Sequence, residues 1–369
     1  MMRMSLAETT NKCYQAGWNR WCAHRAAVLD VDELKLSDED VYQPSEDALL
    51  DFVADLTLET KAKPRGLAEK TIRIYLAAIT HFHLMNSLPD PKADMHLLAK
   101  VMRGVRRHAG AARKPKRPIT LTLLKELRQH VDDGTLRGKA QWAAMCMGVH
   151  GLFRLGELLP PAEGEQHLTY GDIRRVNEIH ATVHLRRSKT DQYGKGAHVN
   201  LFATGDDTCP LAAITELRRA QVELGIDIED PSTPLFAVGR RGRPPAPGKK
   251  AKPYKGKPAL LSKQDMVRRL KKAVDDLAKR RPELNLSSKE FAGHSLRRGG
   301  ATSLALRGVA EPVLRLLGRW ESDAVNLYIA LPVQSLAEAS KVMVSTPERF
   351  READLAAASS AAAAEKWAF

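Results

Sequence analysis

Between Arg103 and Pro118 the chain carries seven basic residues (Arg103, Arg106, Arg107, Arg113, Lys114, Lys116 and Arg117) and no acidic one, and Pro115 and Pro118 close the run. Charge of this density cannot be buried without partners, and the two prolines rule out a continuous helix through them. The stretch therefore divides the 369 residues into two bodies, each long enough to bury a core of its own. The first body is placed at residues 1–112, a basic linker at 113–119, and the second body at 120–369. A solvated linker is one use of such a run. The other is an extended strand that tracks phosphates and releases counterions as it binds.

The first body reads as helical throughout. Ser5 and Glu8 fit a capping box, and Tyr14, Trp18, Trp21 and Cys22 fall on one face of the helix that follows. Ser45 caps a second helix striped with Leu49, Val53 and Leu56. Residues 67–85 space Ile72, Tyr75, Ile79 and Phe82 as one helical face and turn Lys70 and Arg73 outward, and a fourth helix is expected near 93–105. The second body is mixed. Thr120 or Thr122 caps a helix ending at Val131, and the mostly apolar stretch 140–153 reads as a helix central to the core. Ile179, Val183 and Leu185 alternate, and with residues 198–202 they predict two strands joined by a turn through Asp191 to Gly196. Helices return at 262–279, 295–307, 312–317 and 322–330, with Gly318 stopping one helix and Ser322 capping the next. The predicted fold class is mainly α with a small antiparallel β-sheet.

Lys and Arg number 58 against 44 Asp and Glu, a net charge of +14. A field of that sign attracts polyanions, nucleic acid foremost, with an anionic membrane surface as the rival. The four cysteines (Cys13, Cys22, Cys146 and Cys209) show neither metal-type spacing nor a disulfide framework, so reduced thiols are expected. Residues 1–12 lack the apolar core of a signal peptide, and the longest apolar stretch is too short to span a bilayer. A soluble intracellular protein with no membrane partner is expected.

Three distant segments carry chemistry. In Gly151-Leu-Phe-Arg154-Leu-Gly-Glu157, an arginine closes a very apolar segment, which is costly unless an anion or a carboxylate meets it. Pairing with Glu157 is the structural reading; an anion site is the functional one. In His294-Ser-Leu-Arg297, the three-residue step puts an imidazole and a guanidinium on one side of a helical turn. In Gly318-Arg-Trp320-Glu-Ser-Asp-Ala-Val-Asn-Leu-Tyr328, the tyrosine falls late on a short helix, where most tyrosines are packing residues.

Taken together and in this order, the segments resemble the tyrosine recombinase (phage integrase) family over residues 120–331. That family carries an Arg with Glu three residues on, a strand-turn Lys, His-x-x-Arg, then Gly-x-His or Gly-x-Trp, and a nucleophilic Tyr. The counterparts are Arg154 with Glu157, Lys189, His294 with Arg297, Trp320, and Tyr328. Trp320 and Tyr328 stand eight residues apart, closer than in many bacterial members. Ser188-Lys-Thr-Asp-Gln192 and Gly-Arg-Trp-x-Ser-Asp-Ala resemble integrases of mobile elements of the Crypton and DIRS kinds. The resemblance implies a two-domain clamp, in which a helical core-binding domain and an α+β catalytic domain hold double-stranded DNA, and a homotetramer on two duplexes. It implies that Tyr328 attacks the scissile phosphate to leave a 3′-phosphotyrosine and a 5′-hydroxyl. Arg154 and Arg297 would hold the non-bridging oxygens, His294 would assist proton transfer or grip the phosphate, and Trp320 would donate its N–H. Lys189 would protonate the leaving oxygen, with Lys195 as the alternative in the same turn, while Glu157 would support Arg154. No metal and no cofactor is implied. A type IB topoisomerase and a non-catalytic DNA-binding descendant are the alternative functions.

Two further segments lie outside that pattern. Residues 239–258 form a proline-rich basic insertion, with eight basic residues and no acid between 239 and 257. Within it Arg241-Gly-Arg243-Pro resembles the core of an AT-hook, whose arginines enter narrow minor grooves; unspecific phosphate contact and nuclear import are the other uses of such charge. Localisation is expected to be nuclear in a eukaryotic host and otherwise cytoplasm or nucleoid. The C-terminal tail, 331–369, offers Leu336, Ala339, Val342 and Met343 as an apolar face, for docking on a neighbour or packing on its own domain.

Overall fold

The computed structural model describes residues 6–42, 44–58, 66–108, 115–159, 167–186, 191, 194–240, 258–321 and 323–329. The chain divides into two compact units, residues 1–115 and 116–369.

The first unit contains α1 (Glu8–Leu29), α2 (Asp38–Tyr42), α3 (Glu46–Thr57), α4 (Glu69–Met85) and α5 (His96–His108). Its core gathers Trp21, Leu49, Phe52, Ile72, Ile79 and Met102. Trp21 is wholly buried; its indole N–H donates to the Val41 carbonyl at 3.1 Å and its ring meets Phe52 edge-on at 5.2 Å. A buried indole needs such a partner. Ser45 caps α3 by accepting the Ala48 N–H at 3.1 Å. α1 starts differently from the expected capping box: its N-cap is Ala7, and Glu8 is its first residue, where a carboxylate faces the open N–H groups of the first turn. Ser5 lies outside the described residues. The basic run begins on α5, whose outward face exposes Arg103, Arg106 and Arg107.

The second unit begins with residues expected in the linker. The Arg117 N–H donates to the Glu290 carbonyl at 2.8 Å and the Ile119 N–H to the Ser295 carbonyl at 2.9 Å, and the Ile119 side chain is fully buried. Two backbone bonds and an apolar anchor hold 116–119 onto this unit. Thr120 then caps α6 (Leu121–Val131), followed by α7 (Leu136–His150) and the short α8 (Leu155–Leu158). Every residue of α7 from Ala140 to Val149 is buried, which makes it the central helix. α9 (Pro210–Glu223) and α11 (His294–Ala305) pack directly on it, α10 (Lys263–Arg280) packs on α6, and α12 (Glu311–Gly318) lies beside α11. Gly300 of α11 lies so close to the Val149 carbonyl that any Cβ there would overlap it. The two helices therefore meet backbone to backbone.

The strands β1 (Ile173–Asn177), β2 (His180–Leu185) and β3 (Ala197–Phe202) form an antiparallel sheet in that order. β2 and β3 pair from His180↔Phe202 to Leu185↔Ala197, and alternation sends Ala181, Val183, Leu185, Val199 and Leu201 into the core. A second pair, β4 (Ala237–Arg240) and β5 (Pro258–Leu260), flanks the basic insertion. Of the insertion itself, residues 241–257 lie outside the described residues, as does the tail from 330. Where a helix was expected over 322–330, residues Asp323–Leu327 form a 3-10 turn, and the expected cap Ser322 lies outside the described residues, as does Ala330. Among the described residues no helix is long and apolar enough to cross a membrane.

Candidate active site

The end of α7 delivers the first group. The helix stops at Gly151, and Leu152 takes a left-handed conformation, φ +48°, uncommon for a side chain of its bulk. That turn packs Leu152 with Ala301, Leu314, Trp320 and Val325 in a small second cluster and sets Arg154 at the head of α8. Arg154 Nη1 donates to Glu157 Oε1 at 2.8 Å, and the Arg154 backbone N–H donates to Oε2 at 2.9 Å. The pairing read from the three-residue spacing is present, and one carboxylate serves both ends of the same arginine.

α11 supplies Arg297, which is 0 % exposed. Its two terminal nitrogens donate to the Leu152 and Gly318 carbonyls, and its Nε has no hydrogen-bond partner among the described residues. Its guanidinium carbon lies 4.5 Å from the centre of the Trp320 ring and 5.3 Å from that of Tyr328. Burial, joined by the nearby Arg154 and Arg319 cations, pushes Arg297 down to about 10, with Glu157 and Tyr328 pulling the other way. His294 opens α11 at an exposed position, so the imidazole stands at the rim while the guanidinium three residues on is enclosed.

The Trp320 turn completes the cluster. The left-handed residue that ends α12 is Arg319, φ +57°, one position after the glycine expected to stop it. Gly318 is needed for a different reason: a Cβ there would overlap the Trp320 ring. Trp320 is 8 % exposed, and its indole N–H finds no hydrogen-bond partner among the described residues. The Tyr328 N–H closes the 3-10 turn on the Val325 carbonyl at 2.8 Å, and Thr302 Oγ1 donates to the Tyr328 carbonyl at 3.3 Å. A 3-10 turn thus stands where a helix was expected, and it leaves the Trp320 and Tyr328 rings 5.1 Å apart.

The sequence pattern assigns no role to Arg319, although it stands inside the quoted motif. Its Nη2 donates to Glu157 Oε2 at 3.0 Å and to the Leu152 carbonyl at 3.3 Å, and its Nη1 to the Gly151 carbonyl at 3.3 Å. Burial holds it below its ordinary value, with Glu157 opposing. A guanidinium following the last glycine of an apolar helix is the signal the sequence offers; its partner 162 residues away is not visible there.

Arg154 and Arg319 thus share one carboxylate, and Arg297 stands near enough to feel all three charges, with little of the three arginine side chains in water. Positive charge is left uncompensated, an arrangement that an anion rich in acceptor oxygens relieves. Phosphate fits planar guanidinium forks, and the indole N–H and Arg297 Nε offer further donors. The Tyr328 ring stands beside that cradle, its centre 5.3 Å from the Arg297 guanidinium carbon.

The remaining candidates are placed unevenly. Lys189, Arg113, Lys114, Arg241 and Arg243 lie outside the described residues. Lys195 is exposed in the turn between β2 and β3, where the Asp191 carboxylate accepts its backbone N–H at 2.9 Å and that of Gly196 at 2.7 Å. Lys116 Nζ donates to the Lys289 carbonyl at 2.5 Å and Arg117 Nη1 to the Asn285 carbonyl at 2.8 Å, so both are tied to their own unit while exposed. On α4, Lys70 and Arg73 are exposed, and Arg73 pairs with Glu69.

No family model matches the chain. It is 26 % identical over 337 residues to an integrase/recombinase XerD homolog of Selenomonas ruminantium, spanning 89 % of this chain and 83 % of that protein. It is 24 % identical over 310 residues to recombinase Cre of Escherichia phage P1, spanning 82 % of this chain and 77 % of that one. In structure it is similar to the XerH site-specific recombinase in a post-cleavage complex with palindromic difH substrate. That likeness has a TM-score of 0.50 at 15 % identity, over 82 % of this chain and 73 % of the other. It shows the fold: a helical unit and a mainly α unit with small antiparallel sheets.

Proposed function

We infer that this chain, which belongs to the tyrosine recombinase family, cleaves and rejoins DNA at specific sites through a covalent bond between Tyr328 and a 3′-phosphate. The observation that carries the reading is the enclosed Arg297, its guanidinium 5.3 Å from the Tyr328 ring and 4.5 Å from that of Trp320. The relatives support the substrate: XerD and Cre are named as recombinases, and XerH has been solved on DNA.

In the first step the Tyr328 oxygen loses its proton and bonds to phosphorus, the bond to the 5′-oxygen breaks, and that oxygen departs as a hydroxyl. The covalent ester keeps the phosphodiester's energy, so the reverse attack by a 5′-hydroxyl reseals the strand without ATP. Arg154 and Arg297 hold the non-bridging oxygens and offset the charge that grows on them. Trp320 adds its N–H, and His294 at the rim grips the phosphate or moves a proton. Lys189 is proposed to protonate the leaving oxygen, with Lys195 as the alternative, and Glu157 to keep Arg154 in place. The reading requires no metal or cofactor, because guanidiniums supply the charge that magnesium supplies elsewhere. Beyond the site, the proposal is a homotetramer on two duplexes, with the exposed arginines of α5, Lys70 and Arg73 of α4, the basic residues 113–117, and Arg241 and Arg243 on DNA.

Recovery and sequencing of DNA trapped covalently on the protein tests this. One recurring sequence, exchanged between two duplexes that carry it, is the expected result. Unrelated sequences with relaxation of supercoils would indicate a topoisomerase, and binding without any adduct a non-catalytic DNA-binding protein.

A further inference from the structure

We propose that Arg319 is a positioning residue for the phosphate clamp, fixing the directions of Arg154 and Arg297 while standing outside the reaction itself. The proposal deepens the reading of the site as a phosphoryl-transfer centre and rests on it.

Arg297 and Arg319 share an acceptor. The Leu152 carbonyl receives a donor from each, and Leu152 is itself in a left-handed conformation. Arg319 is left-handed too, φ +57°. Two non-glycine residues in that region store strain that the surroundings must hold, and such residues gather where geometry matters. Here each helps hold the other. The Arg319 fork spans the Gly151 and Leu152 carbonyls and Glu157 Oε2, tying the end of α7 to the start of α8. Its guanidinium carbon lies 5.4 Å from the Phe153 ring centre, which limits sideways movement.

A second link runs through Glu157. That side chain, 4 % exposed, places one oxygen on Arg154 Nη1 and the other on the Arg154 backbone N–H and on Arg319 Nη2. With Arg319 gone, Glu157 would keep its partner in Arg154 but lose the anchor that holds it against the Trp320 turn. Arg154 would then swing with its carboxylate. Arg319 thus reaches both clamping arginines, one through a carboxylate and one through a carbonyl. A nonpolar side chain at 319 preserves bulk and removes these bonds; a lysine preserves charge and can satisfy only part of the fork.

The test uses the full chain under single-turnover conditions, on a nicked suicide duplex bearing the sequence recovered from wild-type adducts. Two scissile linkages are compared, the ordinary phosphodiester and a methylphosphonate, which lacks one charged non-bridging oxygen and so depends less on a two-arginine clamp. Arg319→Met is expected to slow phosphodiester cleavage by about 10²-fold, the scale of an ångström-sized misplacement, while DNA affinity changes by less than about threefold. On the methylphosphonate the gap between wild type and variant is expected to shrink to within about threefold. Arg319→Lys falls between, and in a Glu157→Gln background Arg319→Met adds little further loss. Equal slowing on both linkages would overturn the proposal, because a loosened fold slows every substrate alike; so would a wild-type rate in Arg319→Met. Absence of any adduct with the wild-type protein would instead overturn the phosphoryl-transfer reading, and this proposal with it.

Discussion

A guanidinium taken wholly out of water carries a penalty of several kcal/mol unless its donors are met. Arg297 meets this with two backbone carbonyls, leaving Nε without a partner among the described residues, and stacks beneath the Trp320 ring. Packing alone does not explain that penalty, since a buried aliphatic side chain would fill the space at less cost. An arriving anion would, because it brings acceptors for the three N–H groups that these two bonds leave over. Arg297→Ala is therefore expected to retain DNA binding and to lose about 10²–10³ in the rate of strand cleavage, measured by single-turnover adduct formation. Trp320→Phe keeps an aromatic ring over Arg297 but removes the N–H together with the five-membered ring of the indole, so a loss of at least about tenfold is expected, the scale of one charge-assisted hydrogen bond. A bound phosphate should also raise Arg297 from its value of about 10, because an adjacent anion favours the cation.

At the scale of elements, the site is an intersection of α7, α11 and the Trp320 turn, and its quality depends on how closely they meet. Gly300→Ala forces a methyl into the Val149 carbonyl; a cost of about 1–3 kcal/mol is expected, seen as a fall in Tm of roughly 2–10 °C. α7 ends on His150, held below the ordinary imidazole value by burial, with Asp206 and the Thr208 hydrogen bond opposing. The neutral ring is the folded form. As pH falls below 6.5, the ordinary value, the unfolded chain takes up a proton that the folded chain resists, so stability declines. His150→Gln should flatten that decline in urea midpoints taken between about pH 7.5 and about pH 5. Much at this scale is legible in the sequence. Ser45, Thr120 and Ser262 mark true helix starts, and the alternation at Val183 and Leu185 marks a true strand. β1, nearly all exposed, has no apolar alternation to read, and β4 and β5 are too short to show any. The order Arg154, His294, Arg297, Trp320, Tyr328 is legible as a motif. The convergence of Arg319 on Glu157, and the 5.1 Å approach of the Tyr328 ring to that of Trp320, are tertiary facts that no local pattern encodes.

At the scale of the whole molecule, charge and assembly take over. Deleting residues 240–257 should reduce the slope of log affinity against log salt by about 0.9 for each phosphate the segment neutralises; an unchanged slope would remove that insertion from the DNA-binding surface. Arg297 and Tyr328 lie together within one chain, so the tyrosine is expected to act in its own protomer's site. Mixing Tyr328→Phe with Arg297→Ala protein should then leave cleavage as low as in the better of the two alone. Rescue by mixing would mean that the tyrosine is delivered to a neighbour. The assembly is checked separately by the mass of the protein–DNA complex in solution, for which four protomers on two duplexes are expected. The central claim is decided by a single comparison: wild-type protein and Tyr328→Phe on a nicked suicide duplex, resolved for covalent adduct under denaturing conditions. A 3′-linked protein–DNA adduct in the wild type, mapped to the Tyr328 peptide and absent from Tyr328→Phe with DNA binding intact, is the predicted result. An adduct that persists in Tyr328→Phe, or maps to another residue, would contradict it.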